Sequence, residues 1–176
     1  MKDTINQKKR IMFVTGGDYY FFVYNLLIIL YELNAHKGKF KDHRKLTYLI
    51  DFVSDLRYID ILERVFNHRM ISTEDVNILK EEYSLAQCRM NEITKLLLAL
   101  EQRSIVALER SKKDFCLDVS LNNKEEILDF LKSDQFFEER KNTQRIRRWV
   151  PRLKQLKIET FVDKIFKNHG INTWLH

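Results

Sequence analysis

The sequence predicts a mainly α fold with one β-hairpin: a winged-helix-like helical core followed by a C-terminal helical extension. Three observations lead there. Neither glycine nor proline occurs between Gly38 and Pro151, and these are the residues that most often punctuate structure, so long helices with short polar turns are expected. A stripe of Val76, Leu79, Tyr83, Ala86, Met90, Ile93, Leu97 and Leu100 alternates spacings of three and four, the signature of a helical face. Residues 106–119 then switch to a period of two, as a half-buried ribbon does. The expected organisation is a helical domain over 1–122, with the winged-helix-like unit at about 40–122, and an extension over 123–176.

In chain order, the run "YYFFVYNLLIILY" predicts a buried first helix from near Asp18 to Asn34, followed by the basic connector "AHKGKFKD". Asp42 is a good N-cap for a second helix whose Leu46, Leu49, Ile50 and Val53 share one face. A third, short helix covers Tyr58 to Phe66, with Ile59, Leu62 and Phe66 inward. Ser72 and Asp75 read as a capping arrangement opening the long stripe, which fits one helix or two helices broken near "CRMN". Leu96 and Leu98 widen its apolar face beyond a coiled-coil seam, so the stripe is expected to lie in the core. In the hairpin Val106 and Leu108 lie on one face of the first strand, and Phe115, Leu117 and Val119 on one face of the second. A lone hairpin is marginal in water, so its apolar face must rest on the helices. Asn122 and Asn123 are expected to cap a helix carrying Ile127, Leu128, Phe130 and Leu131. Val150 before Pro151 marks a break, and a last helix bears Ile158, Phe161, Val162, Ile165 and Phe166 before Gly170.

At 176 residues with 44% hydrophobic, 12% aromatic and 32% charged side chains, the chain has the balance of a folded soluble protein rather than a disordered or membrane-embedded one. The apolar run at 19–31 is shorter than the roughly 20 residues of a spanning helix. Asn25 interrupts it, and no cleavage site follows. A cytoplasmic location without membrane contact is the expectation. Cys88 and Cys116, distant and without a CxxC or zinc-type spacing, read as two reduced thiols.

No catalytic signature stands out, and no enzyme, cofactor or metal is expected. "TGG" lacks the lysine and spacing of a phosphate loop. His36, His43, His68, His169 and His176 form no ligand spacing and read as solvent-facing or capping. Pairs such as Glu81 with Glu82, or Asp51 with Asp55, have the spacing of solvated helix faces.

Two candidate binding surfaces remain. Net charge is +6, and the stretch from Arg140 to Lys157 holds eight Arg or Lys and no acid. Arg140, Lys141, Arg145, Arg147, Arg148, Arg152 and Lys154 are its candidate nucleic-acid ligands, since such side chains neutralise phosphates and Trp149 could stack. Contact with an acidic protein, and a solvated helix with Trp149 turned to the core and Glu138 and Glu139 as partial counter-charges, are the two alternatives ranked behind it. The second surface is the hairpin tip with its flanks: Arg103, Arg110, Lys112, Lys113 and the terminal Trp174 are candidate partner contacts. The outer side of the preceding helix offers Glu92, Lys95, Glu101, Gln102 and Arg103, a mixed face that suits protein better than base edges.

The segments "KDHRKLTYLIDFVSD" and "EDVNILKEEYSLAQCRMNEITKLLLALEQRSIVALERSKKDFCLDVSLN" resemble the middle component of bacterial three-component ABC or SMC-like ATPase defence systems, of which Lamassu is an example. The resemblance spans roughly residues 40–122 and is one of layout. It implies a non-catalytic adaptor that binds an SMC-like ATPase and retains a nuclease-type effector, DNA being met through the complex. It names no site residue. The alternative is a stand-alone winged-helix transcription regulator.

Overall fold

The computed structural model describes residues 17–111 and 116–173. The chain forms seven α-helices and one antiparallel hairpin among these residues: α1 (Gly17–Glu32), α2 (Arg44–Ser54), α3 (Leu56–Phe66), α4 (Thr73–Gln102), β1 (Val106–Arg110), β2 (Leu117–Leu121), α5 (Glu125–Leu131), α6 (Phe137–Trp149) and α7 (Ile158–Ile165). Lys112, Lys113, Phe115 and Trp174 lie outside the described residues.

α1 is the central helix. Its residues 25–30 are buried consecutively, on every side, which is what an all-round apolar helix requires. It touches α2, α5, α6 and β2. Among the described residues, no helix is long and apolar enough to cross a membrane. α1 ends where Asn34 turns left-handed at φ 56°, a conformation Asn tolerates better than most residues.

Asp42 does open α2, though not from the expected position. It too is left-handed, at φ 62°, and its carboxylate accepts from the Arg44 backbone N–H at 3.2 Å while also gripping the Arg44 guanidinium. α3 starts two residues before the predicted Tyr58, capped by Asp55 accepting from Arg57 N at 2.9 Å.

The long stripe is one helix. Ser72 and Asp75 close the reciprocal capping box at 3.1 and 2.9 Å, and α4 then runs 30 residues, about 45 Å at 1.5 Å per residue. Nothing in "CRMN" breaks it: none of those residues is a proline or glycine, and Asn91 stays helical within the 30-residue run. Leu96 joins the buried face, but Leu98 points outward and is 45% exposed. The apolar face is therefore narrower than its sequence suggests.

In the hairpin Val106 pairs with Leu121 and Leu108 with Val119, and Val106, Val119 and Leu121 are buried. A third extended residue joins it: Phe40 and Val119 exchange backbone hydrogen bonds at 2.8 and 2.9 Å. The Glu101 carboxylate accepts from Leu108 N at 2.9 Å, tying the end of α4 to β1. Asn122 does not cap α5. Its side chain donates to Ser104 O at 2.9 Å, and Lys124 precedes the helix without a side-chain cap.

Residues 123–173 contribute to the same core as the rest of the chain. Leu131, Ile146, Val150, Leu153, Phe161 and Phe166 belong to one cluster with Leu26, Tyr48 and Leu97. Phe166, just past α7, meets Tyr83 edge-on at 5.2 Å and Tyr48 at 5.4 Å, wedged between α2 and α4. α6 ends at Trp149 and Val150, immediately before Pro151, as the proline dictates.

A buried charge lies within this core. Lys45 is wholly buried, donates to Leu153 O at 2.7 Å and Leu156 O at 2.6 Å, and sits 4.5 Å from the Phe40 ring centroid. Burial pulls its ammonium down to about 8, against the pull of Asp42 and Asp118. Lys45→Ala strands the buried Leu153 carbonyl and the partly buried Leu156 carbonyl and leaves a void, so a loss of about 3 kcal/mol or more is expected in urea unfolding. Lys45→Met, which keeps the volume, should lose less. A loss below about 1 kcal/mol for the alanine variant would show that the carbonyls find other partners.

Candidate interaction surfaces

The basic stretch at 140–157 separates into two groups once folded. Arg140, Arg145 and Arg147 are bound to the protein itself. Arg140 donates to Lys132 O at 2.7 Å, Arg147 donates to Glu32 O at 3.1 Å, and Arg145 pairs with Glu63 at 2.6 Å. The Arg145 guanidinium also lies 5.3 Å from the Trp149 ring, whose other neighbour is Phe66 in near-parallel stacking at 6.3 Å and 12°. Trp149 is thus half-buried against α3. The counter-charge comes from Glu63 on α3, while Glu32 on α1 offers Arg147 its backbone carbonyl; Glu138 is exposed one turn upstream.

The second group faces outward. Lys141 and Arg148 are exposed on α6, Lys141 passing 5.8 Å from the Phe137 ring. Arg152, left-handed at φ 60°, is exposed in the turn between α6 and α7. Lys154 is half-buried and donates to Asn34 O at 3.1 Å. This turn lies against the first connector: Lys41 N donates to Lys154 O at 2.8 Å and Gln155 donates to Lys39 O at 3.2 Å.

At the hairpin, Arg110 is exposed at the end of β1 and Arg103 at the end of α4, where its carbonyl accepts from Lys124 at 3.3 Å. The ribbon carries ion pairs of its own toward its turn end. Lys39 pairs with Glu109, and Lys41 pairs at 2.6 Å with Asp118, a buried carboxylate that also accepts from Asp42 N. The outward face of α4 shows Glu81, Leu85, Cys88, Glu92, Lys95 and Leu98, all exposed. Leu85 and Leu98 are each 45% exposed.

Two buried polar sites lie on the inner face of α4, and both correct a sequence expectation. Glu82 is not on a solvated face. Its side chain is wholly buried, facing Asp51 and Tyr58, and burial, then the Asp51 carboxylate, push its carboxyl up to about 9. It is therefore neutral at pH 7, with Asp51 paired to Arg89 beside it. His43 is likewise buried rather than solvent-facing. Its Nδ1 accepts from Leu117 N at 3.1 Å, so the proton sits on Nε2, 3.0 Å from Thr94 Oγ1. Burial lowers its pKa, with Asp42 opposing and Arg44 assisting.

Cys88 and Cys116 are both free thiols, the first exposed and the second buried. No group of three or more His, Cys, Asp or Glu that could hold a metal ion occurs among the described residues. Comparison with known protein families, with curated proteins and with solved structures finds nothing that matches this chain.

The two buried groups give opposite pH dependences. Glu82 is raised in the fold, so the native state holds the extra proton between its ordinary carboxylate pKa and about 9, and stability falls as pH rises through that window. Glu82→Gln should raise the melting temperature more at pH 8 than at pH 5; equal shifts would refute the neutral buried acid. His43 is lowered in the fold, so stability is lost as pH falls through the ordinary imidazole range near 6.5. His43→Gln should be less stable than the parent at pH 7.5 and should flatten the loss between pH 7 and 5, read by thermal melts. An unchanged slope would remove His43 as its source.

Proposed function

We propose that the protein is a non-catalytic adaptor subunit of an SMC-like ATPase antiphage defence complex in the cytoplasm, bridging the ATPase and a nuclease-type effector. The observation that carries this reading is the outer face of α4. Leu85 and Leu98 stand exposed there between Glu81, Glu92 and Lys95. Apolar side chains set among charges of both signs suit a protein surface, since phosphates repel the acids and do nothing for the leucines.

The hairpin directly behind this helix supports a winged-helix-like use of the unit. Its ribbon is anchored to the core through Val106, Val119 and Leu121 and extended by the Phe40 pairing. Arg103 stands at the open end of the ribbon and Arg110 at its turn end. The stand-alone DNA-binding regulator draws on this same helix-then-hairpin order, but it requires a helix face able to approach base edges. Glu92 and the exposed Leu98 weigh against that use of α4.

The test is affinity purification of the tagged chain from its native cells at moderate salt. A large coiled-coil ATPase should be identified in the eluate, and Leu85→Asp with Leu98→Asp should remove it without lowering the melting temperature of the purified chain. A lone protein carrying sequence-preferred DNA would replace the adaptor with the regulator.

A further inference from the structure

Two stretches more than a hundred residues apart, 34–41 and 152–157, are basic without a single acid, and the fold lays one on the other. The contacts are short: Lys41 N to Lys154 O at 2.8 Å, Gln155 to Lys39 O at 3.2 Å, and Lys154 to Asn34 O at 3.1 Å. Gly38 helps to allow this. Its backbone has φ 155°, which residues with a side chain rarely adopt, and the Lys154 ammonium lies in ordinary contact range, 3.4 Å from where a Cβ would stand.

Six cations are gathered in these two stretches. Glu109 and Asp118 of the hairpin pair with Lys39 and Lys41. Lys37, Arg152, Lys154 and Lys157 have no carboxylate ion-pair partner among the described residues. His36 lies among them, its ring stacked on Tyr31 at 5.6 Å; burial first, then Lys37 and Lys154, depress its pKa. The protein therefore holds like charges together where solvent separation would be cheaper.

We propose that this connector-and-turn surface, built by Lys37, Arg152, Lys154 and Lys157 with Lys39 at its edge, binds the phosphate backbone of duplex DNA without reading sequence. Phosphate is favoured over an acidic protein because the ground between the charges is not apolar. Among the described residues the large exposed hydrophobic side chains are Tyr19, Tyr20, Leu56, Met70, Leu85, Leu98, Phe130 and Phe137, none of them in either stretch. A surface of cations alone gains through release of counterions from a polyanion, whereas protein contact draws on apolar area that this surface lacks. The arginines held by Lys132 O, Glu63 and Glu32 O are not part of it.

This inference goes beyond the adaptor reading and is tested on the purified chain alone, so either can fail without the other. The probe is a fluorescent random-sequence duplex of about 25 base pairs, titrated between about 50 and 200 mM salt. Four neutralised phosphates correspond to a log–log slope of about −3.6, at about 0.9 each. Lys37→Gln, Arg152→Asn and Lys157→Gln together, with asparagine chosen because it tolerates the left-handed backbone, should weaken binding at least about tenfold and flatten the slope by about 2 to 3. Arg69→Gln, Lys80→Gln and Lys95→Gln remove the same net charge elsewhere and should leave both nearly unchanged. Should the first triple variant melt early, Lys37→Gln with Lys157→Gln, both exposed, gives the same reading at reduced size. Absence of binding at the lowest salt, equal losses in the two sets, or poly-glutamate competing as well as the duplex would overturn the proposal.

Discussion

The buried ammonium of Lys45 is the constraint on which the arrangement depends. A cation taken out of water costs several kcal/mol unless its donors are satisfied. Here that requires the carbonyls of Leu153 and Leu156 and the face of Phe40 to converge on one point of α2. These groups answer two separate demands on the chain. The two carbonyls fix the turn after Pro151, and Phe40 fixes the connector whose backbone pairs with Val119 in the hairpin. The ribbon, which would be marginal alone, is held through Phe40 to the same centre. Residues 150–157 are consequently part of the core's closure and not a loose tail.

That closure also decides which basic residues remain available. To seat the turn, the chain brings Lys154 over Asn34 and Lys41 under Lys154, which unavoidably sets two basic segments side by side. Further back on α6, the contacts to Glu63 and to the end of α1 consume Arg145 and Arg147. The sequence presents eight equivalent cations between residues 140 and 157. The fold divides them by whether a carbonyl or carboxylate waits at the right place.

The helices and the hairpin were legible because each rests on local rules. The capping box at Ser72, the break at Pro151, the period of two in 106–121 and the stripe of α4 are all short-range signals. Glu82 was half legible: it follows Leu79 by three and precedes Ala86 by four, which places it on the buried stripe beside Tyr83, whereas Glu81 next to it faces solvent. Charge led to the wrong side for Glu82 because acids are rarely buried without a cation. Lys45 with Leu153, separated by 108 positions, and Phe40 with Val119 left no local trace. Such contacts come from topology, so the connector-and-turn surface could not be read before the fold was known. Leu98 failed for a related reason, since an apolar residue in a stripe is buried only if a neighbouring element covers it.

The inner face of α4 is lined mostly by uncharged contacts, with the Arg89–Asp51 and Asp75–Arg64 ion pairs beside them. Neutral Glu82 meets α2 and α3 near one end, Leu79, Tyr83, Ala86, Ile93 and Leu97 fill the middle, and neutral His43 reaches Thr94 toward the other end. Such contacts are insensitive to the charges of whatever approaches from outside, because interior packing and neutral hydrogen bonds have little long-range field. The outer charges Glu81, Glu92 and Lys95 remain in solvent, where a partner can neutralise them without disturbing the core. A single 30-residue helix built in this way offers a stiff surface about 45 Å long, and a rigid surface loses little freedom on association. α4 is thus equipped for rigid-body docking, with its adaptation confined to side-chain rotamers.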